Sequence, residues 1–282
     1  MMLYILLSHT KTLWPDKLYI KYLYYFNFGK PLDLKNPRSY NEKCQWLKLY
    51  NREPVYTTMV DKYLVKEYVK QRIGEEYVIP CYGMWEKAND IDYNKLPERF
   101  VLKCNHDSSS VIVVREKGAV DKKAIAKKLN KCLRTTYYYG SREWPYKNVK
   151  PCIFAEMLLD EGTGKELHDY KFWCFNGHPK YMYITNKGKV VKENFYDMDF
   201  NPVDINHGFY RTVPEYKKPG CFEEMKSLAE NLSHGIPFVR VDFFFVNGNV
   251  YFSEFTFYDW GGTRPFIPEE TDLFLGELIK LP

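Results

Sequence analysis

The sequence predicts an α+β fold: antiparallel sheets with flanking helices, preceded by a mostly helical N-terminal region. Three observations carry this. Apolar residues recur at helical spacing early in the chain, short apolar runs punctuated by turn residues dominate later, and Asn247-Gly248 between two such runs signals a hairpin. The chain has 282 residues, 45% of them hydrophobic and 18% aromatic, enough to bury one large domain or two closely packed ones. The expected division is a helical region over 1–75 and a sheet-rich core over 76–282.

The elements follow in order. Leu18, Tyr22, Tyr25 and Phe26 suggest a helix packed on the core. Asn36-Pro37 breaks the chain, and Ser39 with Glu42 three residues on forms a capping-box pattern. A further helix is expected over 57–74, closed by Gly74. The stretch 77–86 reads as strand and turn, 97–116 as strand, polar loop and strand, and 121–139 as a helix. Strands are expected at 152–159, 170–177 and 179–185, a loop-rich part over 186–220, and an amphipathic helix over 221–235. The last two strands come from 239-VRVDFFFVNGNVYFSEFTFYDWGG-262.

Composition excludes several classes. Lys and Arg total 41 against 36 Asp and Glu, a mild excess of +5. The lysines are scattered, as on the solvated face of 121–134, so no nucleic-acid partner is expected. Seven cysteines, an odd number with no CxxC pair, suit reduced thiols in a cytoplasmic protein. The N-terminal apolar run is too short to span a bilayer and lacks signal-peptide features.

Asp242 and Glu254 stand inside the two apolar runs of the hairpin. With a two-residue loop, Asp242 faces Ser253 and the carboxylates point to opposite sides. With a three-residue loop, Val246 faces Val250, Phe244 faces Phe252, Asp242 faces Glu254 and Arg240 faces Thr256. The second register is preferred because it gathers the polar residues on one face. Two carboxylates face to face need a proton, the Arg240 guanidinium or a cation between them, and hard oxygen ligands suit Mg²⁺. On the hairpin alone, an ion network that merely holds the strands together is an equal reading.

Four further features bear on an anionic ligand. Lys103 leads directly into a small polar loop containing His106, Ser108, Ser109 and Ser110, which can cradle phosphate, although no Walker pattern is present. Glu156 interrupts the apolar run 152–159, and a strand that leaves its backbone edge free could hydrogen-bond a flat base. Asp169 and Lys171 share one strand face. Arg264 follows Gly261-Gly262 and can grip an acidic group. Taken singly, each is matched by a blander role: an edge-strand lysine, a strand-end glutamate, an exposed ion pair, a surface turn.

The order of these residues resembles the ATP-grasp superfamily, and specifically its TupA-like members. The blocks DKYLVKEYVKQRIGEEYVIP, FVLKCNHDSSSVIVV, EWPYKNVKP, DYKFWCFNG and VRVDFFFVNGNVYFSEFTFYDWGG carry the resemblance over roughly residues 30 to 265. It implies an ATP-grasp-like nucleotide-binding core with ATP and Mg²⁺ as cofactors. Lys103, the 105–110 loop, Glu156, Met157, Leu158, Asp169 and Lys171 would then bind nucleotide. Asp242, Glu254 and Thr256 would bind metal, and Arg240, Lys171 and Arg264 would serve catalysis. The implied reaction is ATP-dependent carboxylate–amine ligation through an acylphosphate, joining an amino acid to a carboxylate on a bacterial surface polysaccharide. Implied partners are ATP, a glycan or sugar-acid acceptor, an amino acid, and peripheral contact with membrane-bound polysaccharide machinery. Three departures stand out: Thr256 where many relatives carry Asn, a Ser-rich rather than Gly-rich loop, and a helical N-terminal part. Alternatives are a sugar kinase using the same nucleotide residues, a metal-dependent glycosyltransferase, and a non-catalytic scaffold.

Overall fold

A computed structural model describes residues 11–162, 167–186, 192–209 and 216–282. The first helix, α1 (Asp16–Phe28), ends at Gly29, whose left-handed φ of 67° lets its N–H reach back to Tyr25 O. Its buried face is Tyr19, Ile20 and Tyr24. Leu18, Tyr25 and Phe26 lie on the exposed side, so the helix packs through the face opposite to the one expected. Tyr24 stacks on Phe28 at 4.4 Å, and with Ile20 and Leu32 it forms a small separate core, which is what turns the helix over.

Helix α2 (Tyr40–Tyr50) carries the full capping box: Glu42 N donates to Ser39 Oγ, and Ser39 N donates to Glu42 Oε2. The helix expected over 57–74 is two, α3 (Val55–Val60) and α4 (Val65–Ile73). Asp61 is the cause. Its carboxylate accepts from the backbone N–H groups of Tyr63 and Leu64 at 2.9 and 3.0 Å, closing a turn that interrupts the helical pattern ahead of α4.

The first sheet is antiparallel, with strands β1 (Cys81–Trp85), β2 (Phe100–Cys104), β3 (Ile112–Val114) and β4 (Ile153–Met157) in the order β1-β4-β2-β3. Helix α5 (Lys122–Leu133), capped by Asp121, covers one face through Ile125 and Leu129, which pack with Phe100, Leu102, Ile153 and Ala155. The helical run expected to 139 stops at Leu133; a short α6 (Tyr138–Ser141) follows.

The second sheet is also antiparallel: β5 (Asp169–Phe175), β6 (His178–Asn186), β7 (Lys192–Asp197), β8 (Phe238–Val246) and β9 (Asn249–Thr256), in the order β7-β6-β5-β8-β9. Strand β7 falls within the stretch expected to be loop; its KENFYD sequence hides only Phe195 and Tyr196 as apolar signal. Helix α7 (Phe222–Ser233) and helices α2 to α4 cover this sheet, so that Tyr40, Leu47, Met59, Val69, Met225 and Leu232 share one large core with Phe172, Trp173, Phe238 and Val241. The last helix, α8 (Glu270–Leu278), crosses α2 at Gly276. A Cβ there would strike the backbone at Arg38 to Tyr40.

The β8–β9 hairpin uses both registers that the sequence allows. At the tip, Asn247 and Gly248 take φ values of 51° and 80°, and Val246 pairs with Asn249, Phe244 with Tyr251 and Phe243 with Phe252. A bulge at Ser253 then shifts the ladder by one, so that Asp242 pairs with Glu254 and Arg240 with Thr256. The expected pairings Val246–Val250 and Phe244–Phe252 therefore do not occur, whereas the pairing of the two carboxylates does.

Among the described residues no helix is long and apolar enough to cross a membrane. All seven cysteines are free thiols; Cys81, on β1 opposite Glu156, is the exposed one.

Candidate active site

Two adjoining cavities open where the sheets meet, and Ser108 and Glu254 line both. The first, about 280 Å³, lies between the sheets. Its apolar walls include Ile79 and Val101 on one side and Phe244 on the other; Met157, Leu158 and Leu159 run along its edge. Its polar groups are Lys62, Lys103, Glu156, Asp169 and Glu254.

These polar groups pair off. Glu156 is buried and takes Lys103 Nζ at 2.5 Å on one oxygen and Lys66 Nζ at 2.8 Å on the other. Burial alone would raise its pKa, but Lys103 and Lys66 outweigh burial and hold the carboxyl below its usual range. Lys62 Nζ lies 3.5 Å from Glu254 Oε2. The mid-helix break at Asp61 is what swings Lys62 toward the cavity, and Lys62 N donates to Asn105 O.

Deeper in the second sheet, Lys171 Nζ sits 2.5 Å from Asp169 Oδ2 and 2.6 Å from Asp242 Oδ2. Burial and Arg240 oppose its charge, yet Asp169 and Asp242 prevail and raise its pKa. Arg240 grips Asp242 with Nε and Nη2 at 2.7 and 2.6 Å, and Nη2 reaches Glu254 Oε1 at 3.2 Å. Its other arm bonds the Tyr183 hydroxyl at 3.1 Å and Asp259 Oδ1. Asp259 also accepts from Trp173 Nε1 at 2.9 Å and the Tyr183 hydroxyl at 2.8 Å. Burial would raise the Asp259 pKa; Arg240 and His207 win and lower it. Asp242 is fully buried, and burial pushes its carboxyl up despite Arg240 and Lys171.

The polar loop divides its serines. Ser108 faces both cavities. Ser110 is buried: its Oγ accepts from Cys104 N at 2.7 Å and donates to Asp107 Oδ1, stapling the loop shut. Ser109 Oγ donates to Asp107 Oδ2 at 3.4 Å. His106 is buried as well, with Nε2 3.1 Å from Thr135 O and Nδ1 3.3 Å from Asn105 Oδ1, and it lines neither cavity. Met157 N donates to Pro80 O, so the chain left to meet a flat ligand starts at Leu158.

The second cavity, about 370 Å³, is lined by Arg240, Glu254, Thr256, Asp259 and Gly261, and by four aromatic residues, Tyr137, Tyr146, Tyr258 and Trp260. Glu143, buried, lies among them. Under the floor is Lys48, wholly buried, whose Nζ donates to Gln45 Oε1, Ser141 O and Gly261 O at 2.9, 2.9 and 2.6 Å. Burial pushes its pKa down to about 8. Arg264 lines neither cavity. It stacks under Trp260 and over Phe209, 4.8 and 3.9 Å from the ring centres, and donates to His207 O, so from this position it braces the cavity wall instead of reaching into the cavity.

Among the described residues no group of three or more His, Cys, Asp or Glu is placed to hold a metal ion unaided. The donor chemistry nonetheless fits Mg²⁺ shared with a phosphate ligand. Glu254 keeps 29% of its side chain exposed toward both cavities and is held by longer contacts than Asp242, whose oxygens are taken by Arg240 and Lys171.

Lys103, Ser108, Glu156, Met157, Leu158, Asp169, Lys171, Arg240, Asp242, Glu254 and Thr256 therefore gather at or beside the paired cavities, while His106, Ser110 and Arg264 support them from behind. Sequence reasoning missed Lys62, Lys66, Glu143 and Asp259. The first two are the lysines of DKYLVK, four apart in sequence, a signal that was available; Glu143 and Asp259 stand beside Trp residues in aromatic turns and carry no pattern of their own.

No curated protein matches the sequence. Solved structures similar to this chain include the D-alanine–D-alanine ligase of Helicobacter pylori (17% identity, covering 85% of this chain and 69% of that one, TM-score 0.46). The D-alanine–D-alanine ligase of Bacillus anthracis complexed with ATP is similar at 14% identity and TM-score 0.41, covering 71% of this chain. The ATP-grasp ligase PsnB complexed with minimal precursor is similar at 9% identity, covering 76% of this chain and 58% of that one, TM-score 0.38. The chain spans about half the length of the Bacillus anthracis ligase, 54%. A family model described as TupA-like ATPgrasp matches residues 42–280, nearly the whole of the two-sheet unit and its covering helices, and the chain belongs to that family.

Proposed function

We propose that this protein is an ATP-dependent carboxylate–amine ligase that acts through an acylphosphate. The observation that carries the reading is the junction of the two cavities: a cleft between antiparallel sheets, lined by Lys62 and Lys103 and with Lys171 behind Asp169, meets at Glu254 and Ser108 a second chamber lined by Arg240. A nucleotide in the cleft would lay its base between Val101 and Phe244, near the chain at Leu158. Its phosphates would draw Lys62 and Lys103 away from Glu254 and Glu156, and the terminal phosphate would point at the junction. Phosphoryl transfer rests on positioning and charge neutralisation more than on a protein nucleophile, which suits a site of fixed cations. Glu254 with Asp242 would hold Mg²⁺, which supplies further neutralisation of phosphate charge, and the Thr256 hydroxyl stands across from Arg240 on the same face. Arg240, steadied by Asp259 and Tyr183, would face the acylphosphate. Asp169 and Asp242 keep Lys171 protonated and oriented. The acceptor carboxylate, in this reading, belongs to a surface polysaccharide or its precursor and the amine to an amino acid, in keeping with the TupA-like family.

A thermal-shift panel with ATP, ADP, UDP-glucose and a CMP-sugar, each with and without Mg²⁺, tests it. A ligand at ~100 times its dissociation constant stabilises by about 2.7 kcal/mol. The expected result is a shift with ATP and Mg²⁺ that Glu254→Gln abolishes. A shift with a sugar nucleotide alone would sink the ligase reading and favour a glycosyltransferase.

A further inference from the structure

We propose that the aromatic chamber is the amine site, with Glu143 as the group that binds the ammonium of a small amino acid. This inference rests on the ligase reading above and adds which partner occupies which cavity.

The chamber offers one sign of recognition on this side. Glu143 is 5% exposed, one carboxylate oxygen accepts from Ser141 Oγ at 2.6 Å, and no described residue donates a hydrogen bond to the other. A buried carboxylate with an open oxygen disfavours an anion and draws a cation with hydrogen-bond donors. Its surroundings agree. Tyr137 and Tyr146 stand together, ring centres 4.7 Å apart, and Tyr258 and Trp260 complete the wall. Aromatic faces attract an ammonium, the more so when it is desolvated. The cations nearby already serve other groups. Lys48 is tied to three oxygens of Gln45, Ser141 and Gly261, and Arg240 to Asp242, Asp259 and Tyr183. At about 370 Å³ the chamber has room for a molecule of amino-acid size. The carboxylate partner is then left the junction beside Arg240 and Glu254, where the terminal phosphate would arrive.

The arrangement also accounts for the proton. Burial raises the Glu143 pKa, although Lys48 works against it, and Asp259, Arg240, Tyr137, Tyr146 and Tyr258 are the other ionisable groups that face it. Glu143 takes one proton from the ammonium, and the freed nitrogen lone pair forms the C–N bond at the acylphosphate carbonyl. The C–O bond to phosphate breaks as the tetrahedral intermediate collapses. The second nitrogen proton leaves with the phosphate as HPO₄²⁻, and Glu143 returns its proton to water.

The experiment titrates wild-type protein, held in ADP and Mg²⁺, with the twenty standard amino acids and their N-acetyl forms, reading thermal shift and heat of binding. At least one free amino acid is expected to bind, with its N-acetyl form weaker by about tenfold or more. Glu143→Gln is expected to lose about tenfold or more in that affinity while its ADP·Mg²⁺ shift, which reports folding and the first cavity, is unchanged. Should Glu143→Gln fail to fold, Tyr137→Ala at the exposed edge of the cage gives the same split with a smaller loss. Equal binding of N-acetyl and free forms, full affinity in Glu143→Gln, or no amino acid binding at all would overturn the amine site. Absence of the ADP·Mg²⁺ shift in the wild type would overturn the nucleotide reading beneath it.

Discussion

Asp259 accepts from Arg240, Tyr183 and Trp173 at once, and from the backbone of Trp260. Its charge is what lets Arg240 sit buried with one arm toward Asp242 and the other away from it. Asp259→Asn removes one of the three carboxylates around Arg240, leaves Asp242 and Glu254 in place, and is expected to cost about 1–3 kcal/mol at neutral pH. The sign with pH follows from the lowered pKa of Asp259: its contribution is complete above the unfolded carboxyl range and is lost as pH falls through the folded value. The stability gap between wild type and variant, measured by urea denaturation, should therefore be widest near pH 7 and narrow below about pH 4. At this scale the sequence was legible where a charge interrupts an apolar strand, as at Glu156, Lys171 and Asp242, because burying such a group demands a partner. It was silent for Glu143 and Asp259, which sit in turns where polar residues are ordinary, and misleading for His106, whose ring is spent on backbone and Asn105.

Local signals in the elements were readable to the extent that they were self-contained. The Ser39–Glu42 box and the Asn247-Gly248 turn depend on neighbours in sequence, and both are where the pattern put them. The bulge at Ser253 was not readable, since a two-residue turn and a carboxylate pair each implied a different whole register, and only one extra residue reconciles them. The split of α3 from α4 was written in Asp61, but helical periodicity ran through it. Strand β7 exists because β6 offers it an edge, a tertiary fact with little local trace. Packing between elements is tightest where α8 meets the start of α2. Gly276→Ala places a methyl group against backbone that has no room to turn aside, and is expected to destabilise by about 1–3 kcal/mol or more. Gly118→Ala, with open space around it, is the control and should be neutral in the same thermal melt.

Across the whole molecule, apolar burial is divided. One core joins the second sheet to α2, α3, α4, α7 and α8; another, smaller one belongs to the first sheet and α5. The two cores are bridged across the cavity by polar contacts: Lys66 to Glu156, Asn105 to Asp61, and Lys62 N to Asn105 O. Two cores joined by polar contacts should melt in two resolvable steps. Calorimetry of the ligand-free protein is expected to show a shoulder that merges into one transition when ATP and Mg²⁺ fill the cleft. A single sharp transition with equal calorimetric and van't Hoff enthalpies before ligand is added would rule this out.

The division of thiols has a practical consequence. Six cysteines are shielded by packing to different degrees, and Cys81 stands exposed on the edge strand directly across the ladder from Glu156. A maleimide dye would thus attach chiefly at one address, on the edge of the first sheet beside Glu156. The native chain comes with its own labelling site, and the proposed movement of Lys103 from Glu156 to phosphate could be followed as a change of colour or brightness without altering a single residue.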